Sequence, residues 1–524
     1  MPKKVLRRLA FCGSLVGVLL FSTILVTGQQ EAVDTAVRID DGMVSGIMTD
    51  GIRSYKGIPF AAPPTGDLRW TPPQPVHPWT STRSGAEVGP ACPQLPRPPN
   101  SISNDPCEPQ SEDCLYLNVW TGAAAGEQRP VMVWYHGGGW RRGSATNLSP
   151  TGAPLTKKGV VTVTVNYRMG PLGYLAHPEL TAESPHHASG NYGFLDQIAA
   201  LGWVQKNIEA FGGDPSQVTI IGQSAGSWTI SMLMASPLAK GLFHRAIGQS
   251  GGRFGPQPFL TEDHGGIASG EAVGKAFVKA AGVDSIDALR ALPVDTLLRV
   301  PDFRTEEIVD GWALPKEVRT IFAERTHNDV PILVGSTANE SSSSDLPTTL
   351  KAYRERVESQ YGNFIKAFDE VYPVKTESDI KKAVRDVAGQ ARFNLQMRRW
   401  ARLTTAAGRS KAFLYYFSYV PPHPRRDDLG AFHTAEIPYM FNDLSQKTWT
   451  YQEYDHRLAD LMSSYWVNFA RTGDPNGTGL PEWSPYDLEN EPYMEFGDEV
   501  VSRHHLLKPS LDFLERFQRS SALN

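Results

Sequence analysis

The sequence predicts an α/β fold, with a mostly parallel central sheet wrapped by helices and two helical insertions. Three observations predict it. Short β-branched runs recur along the chain, helical patterns separate them, and a glycine-bounded turn joins one such run to the helix after it. The 47 glycines and 40 prolines fall mostly between apolar runs, as long shaped loops around a sheet require.

The elements follow in order. Turn signals at Asp40-Asp41-Gly42 and Asp50-Gly51 mark an opening β-hairpin, and a proline-rich loop runs from Pro59 to Pro109. Pro130 to Tyr135 is a short apolar run that ends at His136-Gly137-Gly138-Gly139, and the β-branched Val160 to Val165 reads as a buried strand. Asp196 to Phe211 places Ile198, Leu201, Trp203, Ile208 and Phe211 on an amphipathic helical pattern. Val218 to Ile221 is a second β-branched run, followed by Gly222 to Gly226 and a helix-compatible Ser227 to Ala235. His244 to Gly248, Pro331 to Gly335 and Ala412 to Phe417 read as further strands. The stretches 262–325 and 348–403 read as the helical insertions. With no internal repeat and no linker, residues 29–524 are expected to form a single domain.

Composition narrows the class of function. Apolar residues make up 40% and charged residues 20%, which is ordinary for a soluble globular chain and excludes a disordered or repetitive one. A net charge of -5 argues against general affinity for nucleic acid or anionic membrane surfaces. Lys3, Lys4, Arg7 and Arg8 precede an uncharged stretch from Leu9 to Thr27, so residues 1–28 read as a secretory signal. The stretch approaches the ~20 residues that span a bilayer, so a retained signal-anchor is the alternative, and only then would the chain meet a membrane. Either way the protein is expected to be secreted, periplasmic or held in the cell envelope. Cys12 lies in the targeting segment. Export then leaves Cys92, Cys107 and Cys114, enough for one disulfide with one thiol over. No paired-cysteine or Cys/His spacing points to a structural metal.

The sharpest chemical signal is Gly222-Gln223-Ser224-Ala225-Gly226. Between a strand and a helix, this spacing forms a sharp turn that exposes a nucleophilic serine, the elbow of the α/β-hydrolase fold. A side chain at either glycine would strike the adjoining strand or helix, and the helix amino end helps stabilise developing negative charge. His136-Gly137-Gly138-Gly139 follows an upstream strand, where its backbone N–H groups can turn toward an oxyanion. Gly138 and Gly139 are the candidate donors there, with the N–H of Ala225, and each such donor is typically worth ~3 kcal/mol in the transition state. No phosphate-loop pattern accompanies the glycines. The serine also needs a base and an orienting acid, in the order Ser, Asp/Glu, His. Glu340 lies on the loop after Pro331 to Gly335, with Asp345 as its rival. His433 follows the strand at Ala412, with His423, His456, His504 and His505 as competitors.

With these motifs in hand, the chain resembles the type-B carboxylesterase/cholinesterase family, including bacterial para-nitrobenzyl-esterase-like enzymes. The resemblance rests on Lys56 to Pro64, Glu112 to Trp120, Asn191 to Gln197, Phe211 to Pro215, the elbow, Asp310-Gly311, Gly335 to Glu340, His433 to Tyr439 and Phe469 to Pro475. It implies that Glu340 and His433 complete a triad with Ser224, and that Cys92 pairs with Cys114, leaving Cys107 over. Three departures stand out. Gln223 replaces a common glutamate, Thr337 and Asn339 differ from the usual acid loop, and Trp140-Arg141-Arg142 follows the glycines where a phenylalanine and neutral residues are commoner.

The implied activity is that of a serine carboxylesterase acting through an acyl-enzyme on small to medium esters, with no cofactor. Activity should fall at acid pH as His433 takes up a proton. Trp140, Arg142 and Gln223 are candidate pocket residues. Arg141 and Arg142 would suit a substrate bearing a free carboxylate, although such arginines more often face solvent. Two rivals remain: an amidase or lactonase using the same three residues, and a non-catalytic binding protein on the same fold.

Overall fold

In the computed structural model, the described residues are 35–97, 109–146, 152–341 and 345–521. The signal segment 1–28 and Cys107 lie outside them.

Among the described residues, eleven strands form the main sheet. In chain order these are β1 (Ile47–Thr49), β2 (Ile52–Pro59), β3 (Tyr116–Thr121), β4 (Arg129–Tyr135), β5 (Val161–Val165), β6 (Gly213–Gln223), β7 (Arg245–Gln249), β8 (Ile332–Thr337), β9 (Ala412–Phe417), β10 (Pro492–Phe496) and β11 (Val500–His504). In space they run β11-β10-β9-β8-β7-β6-β4-β5-β3-β2-β1. From β5 to β10 every neighbouring pair is parallel, while β1, β2, β3 and β11 join antiparallel at the two edges. A mostly parallel sheet buried on both faces explains the uninterrupted apolar runs. β5 and β8 are buried at every residue.

Strand alternation divides the core into two layers. On β4, Val131, Val133 and Tyr135 pack into one layer with Trp203, Ile230 and Leu233, whereas Met132 and Trp134 face the other, with Leu458, Met462 and Trp466. The first set belongs to helices α1 (Tyr192–Asn207) and α2 (Ala225–Ala235), and the second to α6 (Glu453–Thr472). Each buried aromatic or aliphatic side chain contributes about 1.5–3 kcal/mol to holding these layers on the sheet.

The two turn signals near the start make two tight turns rather than one hairpin. Val37–Ile39 pairs with Gly42–Ser45, and β1 pairs with β2. The long helix begins four residues before its expected start, at Tyr192, because Tyr192 and Phe194 are themselves buried. The insertions are helical. They contain α3 (Gly270–Ala280), α4 (Glu377–Gly389) and α5 (Leu395–Ala407), with a π-helical turn at Gln390–Asn394 between the last two.

Parallel register then gathers the chemistry at one edge. Tyr135 lies opposite Gly222, Gln223 opposite Gln249, and Gln249 opposite Gly335. The loops leaving β4, β6, β7 and β8 therefore emerge side by side, at the carboxyl ends where such sheets bind ligands.

Candidate active site

Ser224 sits between β6 and α2 at φ 56° and ψ -121°, a conformation sparsely populated by residues with a Cβ. The surroundings hold it there. Its N–H donates to the Gln249 carbonyl at 2.8 Å, and its carbonyl accepts from Trp228 N at 2.9 Å. The two elbow glycines are dictated by contact: a Cβ on Gly226 would lie 2.0 Å from the Tyr135 carbonyl oxygen, and one on Gly222 would lie 2.5 Å from the backbone of Gly226. Strand β4 and helix α2 can close on the turn only if both positions lack side chains.

The glycine loop after β4 is fixed from behind. Tyr167 donates its hydroxyl to the His136 carbonyl at 2.6 Å, and the two rings stack at 4.3 Å. Burial drives His136 down to about 4, so it is a neutral framework group near pH 7. Gly138 and Gly139 have φ of 107° and 65°, and among the described residues neither N–H donates a hydrogen bond. Ala225 opens α2, so its N–H belongs to the helix turn that has no intrahelical acceptor. The loop also runs close to Ser224: a Cβ on Gly137 would lie 3.0 Å from the Ser224 Cβ.

Glu340 and His433 meet directly. Glu340 Oε2 lies 2.5 Å from His433 Nδ1, and Glu340 Oε1 accepts from Thr337 N at 2.7 Å. The carboxylate side chain is wholly buried, while the imidazole is partly open. Asn339, one of the departures noted in the sequence, stitches the acid loop to the base loop. Its N–H donates to the Ala431 carbonyl and its Oδ1 accepts from Ala431 N, both at 2.9 Å. The residue after His433, Thr434, is held at φ 85°. Of the rivals, Asp345 is 95% exposed and lies 3.7 Å from Arg356, and His423 accepts from the nearby Arg425 N–H.

Among the described residues the Ser224 hydroxyl makes no hydrogen bond. His433 Nε2 instead lies 3.4 Å from the side-chain amide of Gln223, the residue next to the serine. Gln223 is fully buried, and among the described residues its Oε1 has no hydrogen bond.

The other pocket candidates divide. Trp140 is only 2% exposed, packs against Tyr174 and Trp228 at ring distances of 5.6 and 5.1 Å, and donates to Thr229 Oγ1. Arg141 is engaged by Thr305 Oγ1 and the Phe303 carbonyl. Arg142 has no acidic partner among the described residues. Burial and the neighbouring charges of Arg97 and Arg141 lower its affinity for its proton. Cys92 and Cys114 are joined in a disulfide, as the resemblance implies.

Several residues here were not singled out from the sequence. Phe393, on the π-helical turn, places its ring 4.6 Å from that of His433, and it also stacks on Trp228. Glu436 is fully buried beside the Glu340–His433 pair and accepts from Gln249 Nε2 at 3.4 Å. Burial, with the Glu340 charge second, pushes its carboxyl up to about 7. The Glu436 signal lay within the His433 to Tyr439 motif; nothing local marks Phe393.

This geometry has counterparts among known proteins. A family model described as the carboxylesterase family matches residues 33–514. A fumonisin B1 esterase of Sphingopyxis macrogoltabida is 36% identical over 513 residues, spanning 90% of this chain and 89% of that protein. A phenmedipham hydrolase of Pseudarthrobacter oxydans is 32% identical over 487 residues, spanning 87% and 94%. Among solved structures, a PNB esterase superposes with a TM-score of 0.79 at 29% identity, covering 92% of this chain and 99% of that one. A strained serine between strand and helix, on a mostly parallel sheet that these esterases share, leads to one conclusion: the chain belongs to the carboxylesterase family and is a serine hydrolase of carboxylic esters.

Proposed function

We propose that Ser224, His433 and Glu340 carry out a two-step acyl transfer, with Gly138, Gly139 and Ala225 as the oxyanion donors. The carrying observation is the 2.5 Å contact between Glu340 Oε2 and His433 Nδ1 beside the strained serine. Glu340 holds the ring so that Nδ1 keeps its proton and Nε2 offers its lone pair. His433 takes the Ser224 proton as Oγ attacks the ester carbonyl. The three amides stabilise the resulting oxyanion. His433 then returns the proton to the leaving alcohol, and water, activated in the same way, releases the acid. The substrate is a small molecule of small to medium size. Hydrolysis of para-nitrophenyl butyrate should begin with a burst of about one acyl group per protein chain if deacylation is the slower step. The matched anilide tests the leaving group: turnover of the anilide comparable to that of the ester would favour an amidase.

Gln223 gives a pH test. Gln223→Glu would place a carboxylate beside His433 Nε2 and favour the protonated ring. The base is needed neutral, so the acid limb of the kcat/KM profile should move to higher pH by about one unit. An unmoved limb would mean that position 223 does not sense the imidazole.

Arg142 is proposed to meet a free carboxylate on the substrate, a reading supported by its lack of an acidic partner among the described residues. Arg142→Ala should weaken hydrolysis of anionic esters about tenfold relative to neutral ones. Equal losses on both would reject this role.

The chain is further proposed to be exported and to fold over residues 29–524 as one domain. The basic and apolar start of the sequence and the Cys92–Cys114 disulfide support export. No helix among the described residues is long and apolar enough to cross a membrane.

A further inference from the structure

We propose that Arg392 forms a carboxylate-binding subsite beside Ser224, selecting esters that carry a free carboxylate on the part of the molecule lying along Trp228. The inference rests on the esterase reading above and adds to it a second, separate contact for a substrate carboxylate. Arg392 comes from a different segment than Arg142, so the two are tested independently.

Position is the first argument. Trp228 stands one helical turn beyond Ser224, its N–H bonded to the Ser224 carbonyl. The guanidinium of Arg392 lies 5.2 Å from the Trp228 ring centre and 5.5 Å from that of Phe393. Phe393 in turn packs on His433. Arg392 is therefore one aromatic ring, that of Phe393, away from His433, and its other ring neighbour, Trp228, belongs to the helical turn that follows Ser224. The π-helical turn that carries it is anchored next to the acid loop: Asn394 Nδ2 donates to Ser336 Oγ at 2.7 Å and to the Thr337 carbonyl at 3.2 Å. Inserted π turns frequently mark functional positions.

Charge is the second argument. Among the described residues Arg392 makes no ion pair and no hydrogen bond, while its side chain remains open to solvent. Its contacts to the two rings satisfy the face of the guanidinium and leave the edge, with its five donors, unused. Arg253, whose charge acts on Arg392, is itself engaged by the buried Glu307, and Gln257 Nε2 donates to the same carboxylate at 3.2 Å. The acid whose charge reaches Arg392 is Glu306, and among the described residues the two form no ion pair. Burial, and then the Arg253 charge, disfavour the charged form of Arg392, with Glu306 opposing them more weakly. A stacked, partly desolvated guanidinium with a free edge is a site for a planar anion, and a carboxylate matches it with two parallel hydrogen bonds.

The test compares kcat/KM for esters of equal length. Mono-para-nitrophenyl glutarate carries the charge on the acyl side, a carboxyl-substituted phenyl pentanoate carries it on the alcohol side, and para-nitrophenyl pentanoate is neutral. For at least one anionic ester, Arg392→Gln should lower the anionic-to-neutral ratio by about tenfold or more. Arg392→Lys should keep part of the ratio, and raised ionic strength should shrink the preference of the unmodified protein. Ratios for both anionic esters that ignore position 392 would overturn the subsite and leave the esterase reading standing. Should Arg392→Gln fail to fold, competition decides in the Arg142→Ala protein, where the other proposed carboxylate contact is gone: glutarate must inhibit neutral-ester hydrolysis more strongly than glutaramide, and equal inhibition would overturn the subsite. If the unmodified protein hydrolyses none of the three esters, the esterase reading itself falls.

Discussion

Replacing Ser224 by alanine is expected to lower kcat for para-nitrophenyl butyrate by about a million-fold, leaving only the residual rate that oxyanion donors and binding supply. The hydroxyl is the proposed attacking atom, and no neighbour can substitute for it: Gln223, Ala225 and Gly226 carry no nucleophile. The change should leave folding intact. Ser224 side-chain atoms make no hydrogen bond among the described residues, and the backbone bonds to Gln249 and Trp228 are retained. Steady-state rates measured against a thermal unfolding control check the prediction. Retention of more than about one part in a thousand of the activity would indicate another nucleophile.

Glu340→Gln is expected to lower kcat by about ten thousand-fold with little change in KM. The reason lies in a single proton. Glu340 Oε2 can only accept, so Nδ1 of His433 must donate and Nε2 is left to accept from serine. A glutamine held by the Thr337 N–H through its carbonyl would present its amide to Nδ1. The ring would then carry its proton on Nε2 and could not receive the serine proton. The amide is nearly isosteric, and it removes a charge next to the buried Glu436, so a folded variant with this loss is the expected outcome. A loss below about tenfold would contradict the proposed role of Glu340.

The sheet and the elbow were legible in the sequence because local geometry forces them. β-Branched runs such as Val161–Val165 have few alternatives to a buried strand, and Gly222 and Gly226 are required by approaches of 2.5 and 2.0 Å. The acid and base were only partly legible from position: the rivals Asp345 and His423 differ from Glu340 and His433 in tertiary contacts that no local pattern encodes. β10 and β11 are less legible because they are short and carry Glu495 and Arg503: β10 is fixed by parallel pairing with β9 and antiparallel pairing with β11, and β11 only by that last pairing at the sheet edge. Phe393 and Arg392 were illegible for a deeper reason. Their positions depend on an inserted helical turn that folds back over α2 from far along the chain, and an apolar–basic pair within a helical pattern reads locally as an ordinary boundary between core and solvent.

The Ser224 hydroxyl is the proposed nucleophile, activated by His433. Treating the folded protein with a fluorophosphonate and locating the adduct by mass spectrometry tests it most directly. One phosphonyl group per chain is expected, on the peptide containing Ser224, formed slowly or not at all in His433→Ala. An adduct at another residue, or ester hydrolysis that continues at full rate with Ser224 unmodified, would contradict it.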